Sequence, residues 1–410
     1  MSWSDAELFE RQTEHGLLIA FGEFAQHTGL IAGLMNVRIP QKIQRQARAV
    51  LPQTKLVELQ AGLLAGIEYL QDLSLGSHPL VKDQAVPEAW GQARFVHYSN
   101  VSRTLDACDA TTIQDLRGVI ERIHPPFILE AIHDELRADR EIVFDVDLTG
   151  QPVSSTSQTY PEVAFGWMDD QVRLGYQLAR VCVQTQRYGR IWLDGFHHPG
   201  DTVSMHCLKE LIAAAERQAG VRPRRRSELV TQRIADLQPA LRRLANNCTR
   251  QAAALSTLTA KQAERLGRRY QLEHPLKPTP PTQTDRSSKQ ISTLTRPLTQ
   301  FPDQLIRGQA VLTRARARWQ QLLADQAGRE AWRAQLEDDN RRNPDAPICV
   351  CRNAAGFCSG ENLNWQIEMG YQVETKSASG KIRVALLQGC SAQSSWTRVG
   401  QNAEMIDWTD

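Results

Sequence analysis

Glu141-Ile142-Val143-Phe144-Asp145-Val146-Asp147-Leu148-Thr149 is the stretch on which the reading of this chain turns. It is apolar and β-branched apart from its aspartates, and Gly150 and Pro152 close it, so it predicts a buried strand. Residues two apart on a strand share a face, which puts the carboxylates of Asp145 and Asp147 side by side. Two carboxylates on one face repel, and burying them is costly without a cation or a donor. Two readings stay open from spacing alone. One is a solvated pair on an edge strand. The other is a divalent-metal site, because Mg²⁺ is commonly held by one or two carboxylates together with phosphate oxygens and water. Such a cluster serves two-metal phosphoryl transfer.

On the N-terminal side of this strand the pattern is helical. Leu17, Leu18, Phe21 and Phe24 recur at helical spacing, as do Leu56, Leu59, Leu63, Ile67 and Leu70. Pro40, Pro52, Pro79 and Pro87 keep these helices short. Residues 1–138 therefore form an all-α region. On the C-terminal side, Leu178 to Thr185 and Arg190 to Asp194 read as strands. Pro199-Gly200 turns into Asp201-Thr202, a cap for a helix over Val203 to Gln218. This gives a first part of a core at 139–220.

From Pro223 to Leu266 the chain reads as helical and basic. Val230, Ile234, Leu237, Leu241, Leu244 and Cys248 alternate by four and three, a heptad seam that must pack on another long helix. The natural partner is Gln304 to Asp339, with a homodimer as a further option for the seam. His274 to Pro302, rich in Pro, Thr and Ser, reads as a linker at 274–302. The simplest arrangement is a helical hairpin at 221–340 inserted into the sheet domain. Strand signals return in Pro347–Cys351 and Tyr371–Lys376, with Glu361–Gly370 a helix between them and Ile382–Leu387 a further strand candidate. Residues 341–410 form the second part of the core.

The net charge of the 410 residues is only +2, so nucleic-acid affinity has to come from where the charge sits. It sits in one place. Arg217 to Arg269 carries 13 Lys and Arg against Glu228, Asp236 and Glu264. Arg222, Arg224, Arg225, Arg226, Arg233, Arg242 and Arg243 are the candidate phosphate contacts, acting through counterion release and bidentate grips. A solvated helical face is the alternative. No apolar run is long enough for a membrane span. The N-terminus lacks the order of a secretory signal, and eight scattered cysteines suit reduced thiols in a cytoplasm.

The order of motifs along the chain adds a family. Phe144-Asp145-Val146-Asp147-Leu148-Thr149-Gly150 resembles the first catalytic strand of DDE-type insertion-sequence transposases, in which an Asp is followed two residues later by Thr. The likeness continues through Pro152 to Tyr160, Phe165-Gly166-Trp167-Met168-Asp169-Asp170, Gly175-Tyr176-Gln177, His197-His198-Pro199-Gly200-Asp201-Thr202 and Arg222 to Arg226. Upstream, Leu64 to Asp72 and Tyr98 to Thr104 look like the helical N-terminal region of the same proteins. The resemblance covers nearly the whole chain and is specific as a collective order. It implies an α/β ribonuclease H-like core, a mixed sheet with flanking helices, preceded by the all-α region and interrupted by the hairpin. It also implies Mg²⁺ or Mn²⁺ as cofactor, and cutting and joining of DNA at inverted-repeat ends by a bacterial, cytoplasmic, nucleoid-associated protein. Asp147 is then the metal ligand, with Asp145 its neighbour in the catalytic set.

The chain departs from that pattern where the second catalytic Asp is expected, in a motif of the form Asp-x-Gly-Phe. The matching stretch is Arg352-Asn353-Ala354-Ala355-Gly356-Phe357, followed by Glu361 to Trp365 and Gly370-Tyr371-Gln372. Ala354 takes the carboxylate's place, and a methyl group cannot ligate a hard cation. The third carboxylate, a Glu on a later helix, has no counterpart before Asp410, so a truncated transposase is the expectation. Losing ligands of a catalytic metal costs orders of magnitude in rate. The chain is therefore expected to be inactive in transposition, or to be a non-catalytic DNA-binding remnant that represses related elements. His197, His198 and Asp201 read better as a turn and cap than as a metal cluster. Cys349, Cys351, Cys358 and Cys390 lack the paired knuckles of a zinc site.

Overall fold

The computed structural model describes residues 13–40, 50–156, 160–274, 281–376, 379–381, 384, 388, 390, 397–400 and 403–405. The chain divides into two compact units, 1–137 and 138–410.

The described part of the first unit is helical: α1 (Gly16–His27), α2 (Leu30–Met35), α3 (Pro52–Leu64), α4 (Asp72–Leu75), a 3₁₀ turn (Leu80–Lys82), α5 (Ala85–Ala89), α6 (Tyr98–Leu105), α7 (Ala110–Ile123) and α8 (Pro125–Arg137). Local chemistry sets several of these ends. Pro52 opens α3, where its missing N–H is not needed. Asp109 accepts the Thr112 N–H while the Thr112 hydroxyl accepts the Asp109 N–H, a capping box at the head of α7. Leu18, Leu73, Val86, Trp90, Phe95 and Val101 form the core. The Trp90 indole donates to the Leu18 carbonyl at 2.9 Å. Helix α1 differs from the expected pattern in which face it buries. Leu18, Gly22 and Ala25 point inward, whereas Leu17, Phe21 and Phe24 are exposed. The reason is close approach: a Cβ at Gly22 would stand 2.7 Å from the Ala89 carbonyl oxygen, so only the small-residue face lets α1 reach α5.

The second unit is built on a mixed six-stranded sheet. Its strands are β1 (Ile142–Pro152), β2 (Ala164–Met168), β3 (Gln171–Thr185), β4 (Gly189–Pro199), β5 (Cys349–Asn353) and β6 (Gln372–Thr375). They run in the order β2-β3-β1-β5-β6, with β4 also on β3. β3 is antiparallel to β1, β2 and β4; β5 is parallel to β1 and β6. β2, which the sequence pattern does not announce, turns into β3 through Asp169 and Asp170. Both have positive φ (48° and 63°), as a tight hairpin turn demands. The glycines of the family-like motifs mark where backbones meet. A Cβ on Gly166 would lie 1.6 Å from the Gly200 carbonyl oxygen, and one on Gly200 would lie 2.3 Å from that of Ala164.

Helix α9 (Ser204–Ala219) packs on β3, β4 and β1, with Leu208, Leu211, Ile212 and Ala215 fully buried. It begins without a side-chain cap, after Val203. Thr202, expected as part of the cap, instead closes a turn by donating its N–H to Pro199 at 3.0 Å. Two long helices follow, α10 (Ser227–Glu273) and α11 (Pro281–Arg342), and pack on each other. Val230, Ile234 and Leu241 of the heptad seam are buried. The linker expected over 274–302 is helical from Pro281 onward. Prolines inside a helix are costly, but Leu298 and Phe301, next to Pro297 and Pro302, are buried, and the Arg265 guanidinium lies 5.3 Å over the Phe301 ring. Packing overrides the propensity there.

The hairpin is fixed to the sheet through a buried polar hub. Arg225, 3% exposed, grips Glu216 of α9 with two bonds (2.8 and 2.6 Å) and Asp339 of α11 at 3.1 Å, and donates to the Met369 carbonyl. The Tyr371 hydroxyl donates to Glu216 at 2.7 Å. Burial works against the Arg225 charge, but the Glu216 and Asp339 contacts more than offset it and hold its pKa above the ordinary value. Burial and the Glu216 charge push the Tyr371 phenol well up. Helix α12 (Gly360–Glu368), capped by Ser359, completes the surroundings of β5 and β6. A small antiparallel ribbon, β7 (Thr397–Gly400) and β8 (Ala403–Met405), lies further along. The strand expected over Ile382–Leu387 falls outside the described residues except for Val384, which is helical rather than extended. Among the described residues no helix is long and apolar enough to cross a membrane.

Candidate functional site: an aspartate face and a basic hairpin

The alternation of β1 sorts its residues by face. Ile142, Phe144 and Val146 are buried, whereas Asp145 and Asp147 lie on the opposite face. Directly opposite residues on neighbouring strands share a face. Asp147 is thus level with Arg180, and Asp145 with Cys182 of β3 and Arg352 of β5. The sequence reading brought the two aspartates together but missed their partners. Arg352 grips Asp145 with two bonds, Nε to Oδ1 at 2.7 Å and Nη2 to Oδ2 at 3.0 Å. Arg190 reaches the same carboxylate at 3.2 Å. Arg180 donates to Asp147 Oδ2 at 2.6 Å. The Thr149 hydroxyl also donates to that oxygen, at 3.3 Å, and the Leu148 N–H donates to Oδ1. The hydrogen bond to Asp145 and the charge of that carboxylate raise the Arg352 pKa against the effect of burial.

Ala354, which the motif order puts where a second carboxylate is expected, follows the end of β5. The β1–β5 register ends with Val146 paired to Asn353, and Asp147 and Ala354 are the next residues along each segment. Ala354 is exposed and extended in backbone. Asn353 faces the other way: it is buried, donates to Gln366 at 2.9 Å and accepts from the Cys358 thiol. The side chain at position 354 offers no oxygen, and its carbonyl accepts the Phe357 N–H at 3.0 Å. Both oxygens of Asp145 and one of Asp147 are held by guanidinium groups. This donor set does not fit a pair of hard cations, which need several free carboxylate oxygens in one place. Among the described residues no group of three or more His, Cys, Asp or Glu is arranged to hold a metal. Among the described residues no disulfide joins the cysteines; burial pushes Cys349 and Cys351 up to about 12. His197 stacks on Tyr176 at 5.9 Å, and His198 stands 3.5 Å from Glu210.

The basic segment divides in two. Arg225 is enclosed in the hub and is no surface cation. Arg222 pairs with Asp339 at 3.5 Å, and Arg233 is engaged by Glu368 and by Asn364 at 3.0 Å. These three fix the base of the hairpin, because each meets an acidic group of the sheet domain or of α11. Arg224, Arg226, Arg242 and Arg243 are exposed, with Arg226 also 3.4 Å from Glu228. Further out, residues 242–318 carry fifteen Lys and Arg against four acids, Glu264, Glu273, Asp285 and Asp303. The sequence reading stopped at Arg269 and missed that α11 extends the positive surface through Arg286, Lys289, Arg307, Arg314, Arg316 and Arg318, all exposed.

Comparison with protein-family models, with curated proteins and with solved structures finds no match for this chain.

Proposed function

We propose that this chain is a transposase-like protein of the DDE type, with a ribonuclease H-like core, that binds DNA at inverted-repeat ends and does not cut it. One observation carries the reading: the two positions singled out by the motif order, Asp147 and Ala354, directly follow Val146 and Asn353, the last residues paired between two adjacent parallel strands. Motifs some two hundred residues apart are thereby brought to one spot on the sheet, where a DDE enzyme would need two carboxylates. Here that spot holds one carboxylate, a methyl group and an arginine lattice.

The exposed arginines of the hairpin supply the binding. A long basic arm can neutralise several phosphates, and each counterion released makes affinity fall with salt. Asp145 and Asp147 hold guanidiniums in place and activate no water. Occupation of the ends of intact related elements makes the protein a repressor of their movement.

The test is a binding selection on fragments of the chain's own genomic neighbourhood, repeated across a salt series, with Mg²⁺ and Mn²⁺ present in parallel reactions. Enrichment of one inverted-repeat sequence, steep loss of affinity with salt and intact strands are expected. Strand cleavage abolished by Asp147→Ala would overturn the non-cutting claim. Even, weak binding to all fragments would remove the end-binding claim.

A further inference from the structure

The face of the sheet that bears Asp145 and Asp147 also bears a row of exposed rings. Helix α9 packs on β1, β3 and β4, where Phe144, Val146, Val181 and Val183 are buried. On β3 the even-numbered residues, Val172 through Gln184, share the aspartate face, because Arg180 and Cys182 are level with Asp147 and Asp145. Val172 is level with Trp167, so Trp167 and Phe165 of β2 lie on that face too. Phe165, Trp167 and Val172 are 62%, 66% and 64% exposed. At the other end of β3, Cys182 is level with Trp192. The Trp192 ring is also exposed and lies against Gly195, where a Cβ would come within 2.4 Å of its Cζ2. Glycine at 195 is what allows the indole to settle onto the sheet. Arg180 stands between these rings along β3, Arg352 is level with Trp192 and Arg190 lies just beyond it, all three held by Asp145 and Asp147.

We propose that this face is a metal-independent platform for single-stranded nucleic acid. Bases stack on Trp167, Phe165 and Trp192, while phosphates meet the guanidiniums of Arg180, Arg190 and Arg352. The proposal deepens the DNA-binding reading above and rests on it. Ten residues of β3 separate the two clusters, about 33 Å at strand rise, room for a strand of several nucleotides. Aromatic rings interleaved with arginines are how proteins hold single strands without reading sequence. The carboxylates act as positioning groups, because an arginine already fixed by Asp loses little freedom when a phosphate binds its other donors. Three guanidiniums face three carboxylates here, Asp145, Asp147 and Glu374, which is level with Arg352, and Lys376 follows two residues past Glu374. A protein partner would have to desolvate this ion lattice, which is costly. A phosphodiester meets the guanidinium donors that the carboxylates leave unused and keeps the lattice partly wet.

The test uses the full chain and a fluorescein-labelled twenty-residue oligothymidylate, read by anisotropy in EDTA. Binding is expected in EDTA and should weaken with salt. Trp167→Ala and Trp192→Ala should each weaken it about tenfold. Trp167 is exposed enough that its replacement leaves the thermal transition in place, which separates lost contact from lost fold. Arg190→Ala should lower the salt slope by about 0.7. Loss of binding in EDTA would overturn the proposal. So would unchanged affinity in the Trp167→Ala/Trp192→Ala double variant, or a Trp167-dependent dimer in sedimentation without oligonucleotide binding. Arg242→Glu/Arg243→Glu separates this proposal from the preceding one, since it should impair duplex-end binding and spare oligothymidylate. Duplex binding without oligothymidylate binding sinks only the platform. The reverse sinks only the end-binding role.

Discussion

Two arginine–carboxylate clusters lie in the same unit and differ in their access to water. In the hub, Arg225 is enclosed with Glu216, Asp339 and the Tyr371 hydroxyl, and every element it touches is pinned by it. On the sheet face, Asp145 and Asp147 hold Arg352, Arg190 and Arg180, whose side chains remain a third or more exposed. The chemistry is the same and the consequence is not. A buried pair that loses one member leaves an uncompensated charge in a poor solvent, whereas an exposed pair that loses one member is rehydrated. Enclosure makes the first cluster part of the fold. Exposure leaves the second able to exchange partners.

The largest predicted effect tests the enclosed side of that comparison. Arg225→Ala strips Glu216 and Asp339 of their shared cation and frees the end of α11 from α9. The 138–410 unit should lose about 3–5 kcal/mol, measured by urea unfolding. A loss below about 1 kcal/mol would mean that water reaches the hub and that the contrast between the clusters is false.

Glu58 of α3 sharpens the contrast from another direction, because it is a buried carboxylate with no arginine. Its Oε2 accepts the Val96 N–H at 2.8 Å, while Oε1 is buried without a hydrogen-bond partner. Burial raises its pKa to about 7, against smaller opposing contributions from the Val96 N–H and Lys55. A carboxyl whose folded pKa lies above its unfolded value stabilises the fold while protonated. That stability is fully present below the ordinary value of about 4.5 and is lost as pH rises through about 7. The first unit should therefore weaken by on the order of 3 kcal/mol between these limits. Glu58→Gln should flatten the slope. An unchanged slope in that variant would assign the pH dependence to other groups.

What could be read in advance follows the same division. The strand at Glu141–Thr149, the helix after Pro199-Gly200 and the long helices were legible because period and punctuation are local properties. The pairing of Asp145 with Arg352 was not, since the two are 207 positions apart and only the parallel register of β1 and β5 joins them. Arg225 and Arg224 look alike in a run of basic residues, yet one is enclosed and one exposed. Strand β2 went unread because Phe165-Gly166-Trp167 is short and has no clean alternation. The prolines at 297 and 302 misled because propensity knows nothing of Leu298 and Phe301 against α10.

The smallest predicted effect on stability tests the open side. Arg180→Ala removes the cation at Asp147, but Asp147 is close to half exposed and keeps the Thr149 hydroxyl and the Leu148 N–H. Unfolding should shift by no more than about 1 kcal/mol. Divalent-ion affinity should stay absent as well, because freeing one carboxylate does not supply the oxygens missing at Ala354. Titration with Mn²⁺ followed by its paramagnetic resonance checks this. Combining Arg180→Ala with Ala354→Asp places one free carboxylate on β1 and another just past the end of neighbouring β5, and that double variant is the one expected to bind the ion. Binding by Arg180→Ala alone would show that the arginine, and not the methyl group, is what keeps metal from this face.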